Sequence, residues 1–296
     1  MRTLKFVLIT LLVTVALLSI VIWYFPSIED FLVDNPFWNG LKDLTNTHNI
    51  RSIYSLAELP EEAQNTSLIF IPYLKLTENE LEQISTFLKN GGTLIVADDF
   101  GYGNQILQHL QLKVRFSRSM LLDPLFSYKN SIFPRISNFS KHPITGDVQN
   151  ILLNHPTILL NVLPENNLAS SSLFSYLDLN DNELPNENEP LGPFPVMALY
   201  PLHRGKVIII SDPSIFINTM INREDNNILI KNLLKINTLT IFSQSHLPLS
   251  LLPDMKLLLQ DIRKILQSPL GTLSLIVVIF SISLLPLFFR RRNVKT

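Results

Sequence analysis

Two short polar segments in this chain carry residue types that could do chemistry, and each follows an apolar run. Asp98-Asp99-Phe100-Gly101-Tyr102-Gly103-Asn104 comes directly after Thr93–Ala97, and Ser211-Asp212-Pro213-Ser214-Ile215-Phe216-Ile217-Asn218 directly after Lys206–Ile210. Asp225-Asn226 stands at the start of a further helical pattern. In an open α/β sheet, ligands bind outside the carboxyl ends of the strands. Asp98, Asp99, Gly101, Gly103, Asn104, Asp212, Ser214, Asn218, Asp225 and Asn226 therefore make a candidate ligand-binding rim. Such side chains would line a polar pocket or hold a divalent cation through carboxylate oxygens. The plainer alternative is turn chemistry, with Asp and Asn capping the helices that follow the strands and Gly101 and Gly103 permitting sharp bends. No spacing is diagnostic of a metal, so neither a metal ligand nor a catalytic residue is assigned.

Several chemistries are excluded by what the chain lacks. It has no cysteine, which removes disulfides, thiolate metal sites and a cysteine nucleophile. No Gly-x-Ser-x-Gly elbow is present to activate a serine. The six histidines (His48, His109, His142, His155, His203 and His246) are dispersed, without a His-Glu-x-x-His pattern. Gly101-Tyr102-Gly103 resembles the start of a dinucleotide fingerprint, but the third glycine is missing, and no cofactor is implied. A net charge of −1 and the absence of a basic stripe give no sign of nucleic-acid binding.

The surrounding pattern predicts the elements that would position the rim. Asn35-Pro36 reads as a helix start leading to about Leu44, and Asn49–Tyr54 as a strand. Ser67–Ile71 and Thr93–Ala97 are wholly apolar, as in a sheet covered on both faces. Between them, Thr77-Glu78-Asn79-Glu80 is a capping box for a helix that ends at Gly91-Gly92. This is a β-α-β unit, for which parallel strands are expected. Gly103–Leu110 reads as helix, and Lys113–Phe116, Thr157–Val162, Val196–Tyr200 and Lys206–Ile210 as strands. Asp178–Pro193 reads as a solvated acidic loop, and Asp225-Asn226 opens a helix carrying Ile228, Leu229, Leu233 and Leu234.

Two uncharged apolar stretches, 6–25 and 270–289, bracket this body, and each has the roughly 20 residues a helix needs to cross a bilayer. The first lacks the small-x-small site of a cleaved signal peptide. The expected organisation is a cytoplasmic start (1–5), a transmembrane helix (6–25), an α/β domain (26–252), an amphipathic juxtamembrane helix (253–269), a second transmembrane helix (270–289) and a basic tail (290–296). Arg2, Lys5, Arg290, Arg291, Arg292 and Lys295 outnumber Lys256, Arg263 and Lys264. Charge asymmetry therefore predicts a two-pass cell-membrane protein with both termini cytoplasmic and the domain extracytoplasmic. Asn65-Thr66-Ser67 and Asn138-Phe139-Ser140 are glycosylation triplets.

The run from Phe87 to Asn104 resembles the signature of the domain-of-unknown-function family 4350, and the run from Gly205 to Asn218, with Asp225-Asn226, fits the same family. The resemblance covers roughly 32–234. It implies a fold similar to class I glutamine amidotransferases: a flavodoxin-like three-layer α/β sandwich with a mostly parallel sheet, flanked here by two transmembrane helices. It also implies relatives encoded beside MoxR-type ATPases and von Willebrand-type proteins. No activity comes with the family, and without cysteine the amidotransferase reaction does not transfer.

These readings point to a binding or scaffold domain rather than an enzyme. The expected partners are the lipid bilayer and a second membrane protein or a MoxR-type ATPase system. The alternatives are a carboxylate-dependent hydrolase or transferase on a sugar-like substrate, with Asp99 or Asp212 as general base, and an accessory transporter subunit.

Overall fold

The computed structural model describes residues 2–248, 251–274, 276–277 and 280. It divides into two units. One takes in 26–248; the other combines 1–25 with 249–296.

The second of these contains helices α1 (Arg2–Tyr24) and α6 (Leu251–Gln267). Within it, the Arg263 guanidinium stands 5.7 Å from the centre of the Trp23 ring. Helix α6, which carries Asp254, Lys256, Asp261, Arg263 and Lys264, is amphipathic, as the sequence predicts for this segment. Among the described residues no helix is long and apolar enough to cross a membrane. This overturns the expectation of two flanking transmembrane helices at 6–25 and 270–289. The two-pass placement, with cytoplasmic termini and an extracytoplasmic body, falls with it. Of the second stretch, residues 275, 278–279 and 281–289 lie outside the described residues, as does the tail 290–296.

The larger unit is a mixed α/β body. Helix α2 (Lys42–Thr47) precedes β1 (Ile50–Ile53) and β2 (Thr66–Phe70). Helix α3 (Glu78–Lys89) connects to β3 (Thr93–Ala97), and α4 (Gly103–His109) follows. Short strands come next: β4 (Arg115–Phe116), β5 (Met120–Leu122), β6 (Arg135–Ile136), β7 (Asn138–Phe139), β8 (Ile151–Leu152), β9 (Leu159–Leu160), β10 (Asn167–Ser170) and β11 (Tyr176–Asp178). The hairpin β12 (Pro195–Leu202) and β13 (Gly205–Ile210), helix α5 (Asn226–Leu234) and β14 (Leu239–Ser243) complete the unit.

Eight strands form the main sheet in the order β1-β14-β2-β3-β13-β12-β10-β7. The pairs from β1 to β13 are parallel; β12, β10 and β7 extend the sheet antiparallel. Its central strands are buried on both faces, which explains their unbroken apolar runs. Leu68, Leu94, Val207 and Ile241 pack on one side with Leu81, Ile84, Phe87 and Leu88 of α3 and with Ile106 and Leu107 of α4. The alternate residues Ile69, Ile95, Ile208 and Phe242 are buried on the other side.

The capping box that opens α3 forms as the sequence predicts: Thr77 N–H donates to Glu80 and Glu80 N–H to the Thr77 hydroxyl. The helix expected from Pro36 instead begins at Lys42. Asn35 is fully buried, and its side chain is committed to the loop itself. Its Nδ2 donates to the Glu29 carbonyl at 2.8 Å, and its Oδ1 accepts from Phe37 N–H at 2.8 Å. An Asx-type bond of this sort favours a turn over a helix start.

Candidate functional site

Three adjacent parallel strands end side by side. β2 runs into Tyr73, β3 into Asp98-Asp99 and β13 into Ser211-Asp212, with Ala97 opposite Ile210 and Val96 opposite Phe70. Asp98 N–H continues the ladder by donating to the Ile210 carbonyl at 3.1 Å.

Asp98 is buried and serves as the hub of its loop. Its Oδ1 accepts from the N–H groups of Asp99 (3.0 Å) and Gly101 (2.8 Å), and its Oδ2 from that of Gly103 (2.6 Å). The two glycines are a steric requirement of this arrangement. A Cβ at Gly101 would lie 2.6 Å from Asp98 Oδ1, and one at Gly103 2.6 Å from Oδ2. Burial pushes the Asp98 carboxyl up to about 7, the backbone bonds from Gly103 and Gly101 opposing it and the neighbouring Asp99 adding to it.

Asp99 is half-buried, accepts from Phe100 N–H at 2.6 Å, and is raised by burial. Asp212 is fully buried. Its Oδ1 accepts from Ser214 N–H (2.7 Å), starting a short 3₁₀ turn over Pro213–Phe216, and its Oδ2 accepts from Asn154 N–H (2.6 Å). Burial, with Asp99 also contributing, pushes this carboxyl up to about 8. A group so enclosed cannot meet a substrate, which leaves Asp99 as the accessible carboxylate of the pair weighed as general base.

Tyr73 joins these acids. Burial, followed by the charges of Asp99, Asp30, Asp212 and Asp98, drives its phenol well above its ordinary value, so the hydroxyl keeps its proton. Its ring stands 5.5 Å from that of Phe31. The Arg118 guanidinium closes the loop by donating to the Gly101 carbonyl at 2.6 Å. Ser211 Oγ is buried and has no hydrogen-bond partner among the described residues. Neither Tyr73 nor Asp30 stands out by type in the sequence. Tyr73 would have been found by applying the carboxyl-end rule to β2 as well as to β3 and β13.

The remaining candidates hold the scaffold. Asn104 clamps the backbone of Phe116 through both ends of its amide, at 2.8 and 2.9 Å. Asn218 binds the Asn35 and Phe37 carbonyls and accepts from Asp43 N–H, fastening the loop that carries Asp30. Asp225 accepts from Gln149 and Asn150 N–H, and Asn226 brackets Leu152 while also donating to Met220. These four tie distant backbone together rather than cap the helices that follow; Asp225, at the start of α5, makes no side-chain cap bond. Among the described residues, no group of three or more His, Asp or Glu side chains is arranged to hold a metal ion.

The chain belongs to the family described as a domain of unknown function (DUF4350), whose family model matches residues 39–234. No curated protein is matched. Among solved structures, the chain is similar to the mmIFT52 N-terminal domain, at 16% identity and a TM-score of 0.50, covering 66% of this chain and 87% of that one. It also matches a cytoplasmic protein, STM1381, from Salmonella typhimurium LT2 (15% identity, TM-score 0.35, 61% and 76% covered). A third match is a β-galactosidase from Bacillus circulans sp. alkalophilus (10% identity, TM-score 0.33, 58% and 22% covered). The first similarity speaks to fold alone.

Proposed function

We propose that the domain binds a small polyhydroxylated, sugar-like ligand at the rim above β2, β3 and β13 and does not transform it. One observation carries this reading: Tyr73, Asp98, Asp99 and Asp212 gather over the carboxyl ends of three adjacent parallel strands. Half-buried Asp99 offers an acceptor and the half-buried, protonated Tyr73 phenol a donor, the pairing that sugar hydroxyls need. The exposed rings of Phe100 and Tyr102 lie on the same loop and offer apolar faces to a sugar ring. Asp98 and Asp212 spend their oxygens on backbone N–H groups, which suits a rigid binding surface better than a proton shuttle.

The test is a saturation-transfer NMR screen of monosaccharides, disaccharides and inositol against the wild type, Asp99→Asn and Tyr73→Phe. Binding of a polyol that weakens in both variants is the expected result. Absence of binding in the wild type, or equal binding in all three, refutes the proposal. Conversion of the bound sugar during the same experiment would instead favour a hydrolase with Asp99 as base.

A further inference from the structure

A cavity lies toward the other end of β13, beside α5. It has a volume of about 430 Å³ and is lined by His142, Pro143, Ile144, Leu199, Lys206, Ile208, Asn232, Lys235 and Ile236. The size falls in the range of small-molecule sites. We infer that this cleft binds a small organic anion, its phosphate or carboxylate head held by Lys206 and Lys235 and its apolar body resting on the aliphatic floor.

The argument begins with charge. The lining contains two lysines and no carboxylate. Neither Lys206 nor Lys235 takes part in an ion pair among the described residues, where the acids that are paired have other partners. Both lysines thus line the cleft without an ion-pair partner among the described residues, an arrangement that attracts an anion. A neighbouring cavity of about 600 Å³, also on α5, includes Lys231 and the same Lys235, again with no acid in its lining. The positive field therefore extends along the helix.

Hydrogen bonds fix the polar part of the wall. His142 Nδ1 accepts from Ile144 N–H at 3.1 Å, which leaves the proton of the neutral ring on Nε2. The same ring is held below the usual imidazole range, first by burial and then by the Lys206 ammonium, which places that charge close to it. Asn232 fixes the wall by donating to the Ile144 and Gly146 carbonyls at 3.1 and 2.8 Å. Leu199, Ile208, Ile144 and Ile236 supply the floor, so the cleft offers cationic heads above apolar surface. That asymmetry matches an amphiphilic anion better than a bare ion.

Isothermal titration with hexyl phosphate, hexanoate, inorganic phosphate and hexanol tests the assignment on the full chain. The expected result is saturable binding of hexyl phosphate or hexanoate, weaker binding of inorganic phosphate and none of hexanol. Lys206→Gln with Lys235→Gln should weaken binding roughly tenfold or more, and Ile236→Glu, which adds a like charge to the ligand, should abolish it. Asp99→Asn at the opposite end of the sheet should bind as the wild type does, so loss of the rim's sugar binding and loss of anion binding are separate results. Both lysines are exposed, so their substitution leaves the fold intact. No saturable binding by the wild type, or equal affinity in the double variant, overturns the inference.

Discussion

The two ends of β13 make opposite use of charge. At its carboxyl end, Asp212 and the adjoining Asp98 are buried, and their oxygens are taken up by the backbone N–H groups of their own or neighbouring loops. At its amino end, Lys206 is exposed, lines a cavity and is in no ion pair among the described residues. The buried acids here are structural: they fix loop shape and give up accessibility. Exposed charge contributes little to folding and remains available to a ligand. In a chain whose net charge is only −1, the informative quantity is how each charge is partnered.

This contrast can be broken or sharpened by measurement. The largest expected effect concerns pH. Asp212, raised from 3.8 to about 8, binds its proton more tightly in the folded than in the unfolded chain. Its contribution to stability is full below about pH 4, declines as the pH rises toward about 8 and is level above that. The change is on the order of several kcal/mol across the window. Urea unfolding at intervals from pH 4.5 to 8.5 should show a steeper decline for the wild type than for Asp212→Asn, whatever the variant's absolute stability. Parallel profiles would mean that Asp212 is not a buried acid.

Next in size is Asp98→Ala, which strands three backbone N–H groups and should cost about 3 kcal/mol or more in chemical denaturation. Gly103→Ala should cost about 2 kcal/mol, because its Cβ would stand 2.6 Å from both Asp98 Oδ2 and Phe116 Cε2. The smallest effect belongs to the amino end, where Lys206→Gln should change stability by less than about 0.5 kcal/mol. A larger loss there would show that Lys206 is part of the scaffold and would remove the contrast.

Much of the sheet was legible because its signals are local. The apolar runs of β2, β3 and β13 and the Thr77 capping box identify their elements from a few neighbouring residues. The acidic stretch 178–193 is a solvated loop over 179–188, as its polar composition suggests, and misleads only at two acids. Asp178 is fully buried, accepting from the N–H groups of Asn180, Asn182 and Glu183, and Glu189 is buried beside it. The apolar composition of the ends misleads in the opposite sense, for no described helix attains the length and apolarity of a membrane crossing. At the rim, Asp98, Asp99 and Asp212 were accessible to a rule about strand ends. Asn218, Asp225 and Asn226 satisfy the same rule by type, but their partners lie dozens of residues away and only the folded chain reveals them.

Strand β14 was not legible at all. Leu239–Ser243 carries only five residues, and its meaning comes from partners far back in the chain, Thr66–Phe70 on one side and Ile50–Ile53 on the other. The strand latest in chain order among the described residues is therefore the wedge that joins β1 to the rest. The family match stops at 234, five residues short of it. A fragment trimmed to that boundary would leave β1 without its hydrogen-bonding neighbour and β2 with a bare edge open to self-association. Recombinant work guided by the family limits would thus recover a sheet with a gap in it; extending the fragment through 248 restores the missing rung.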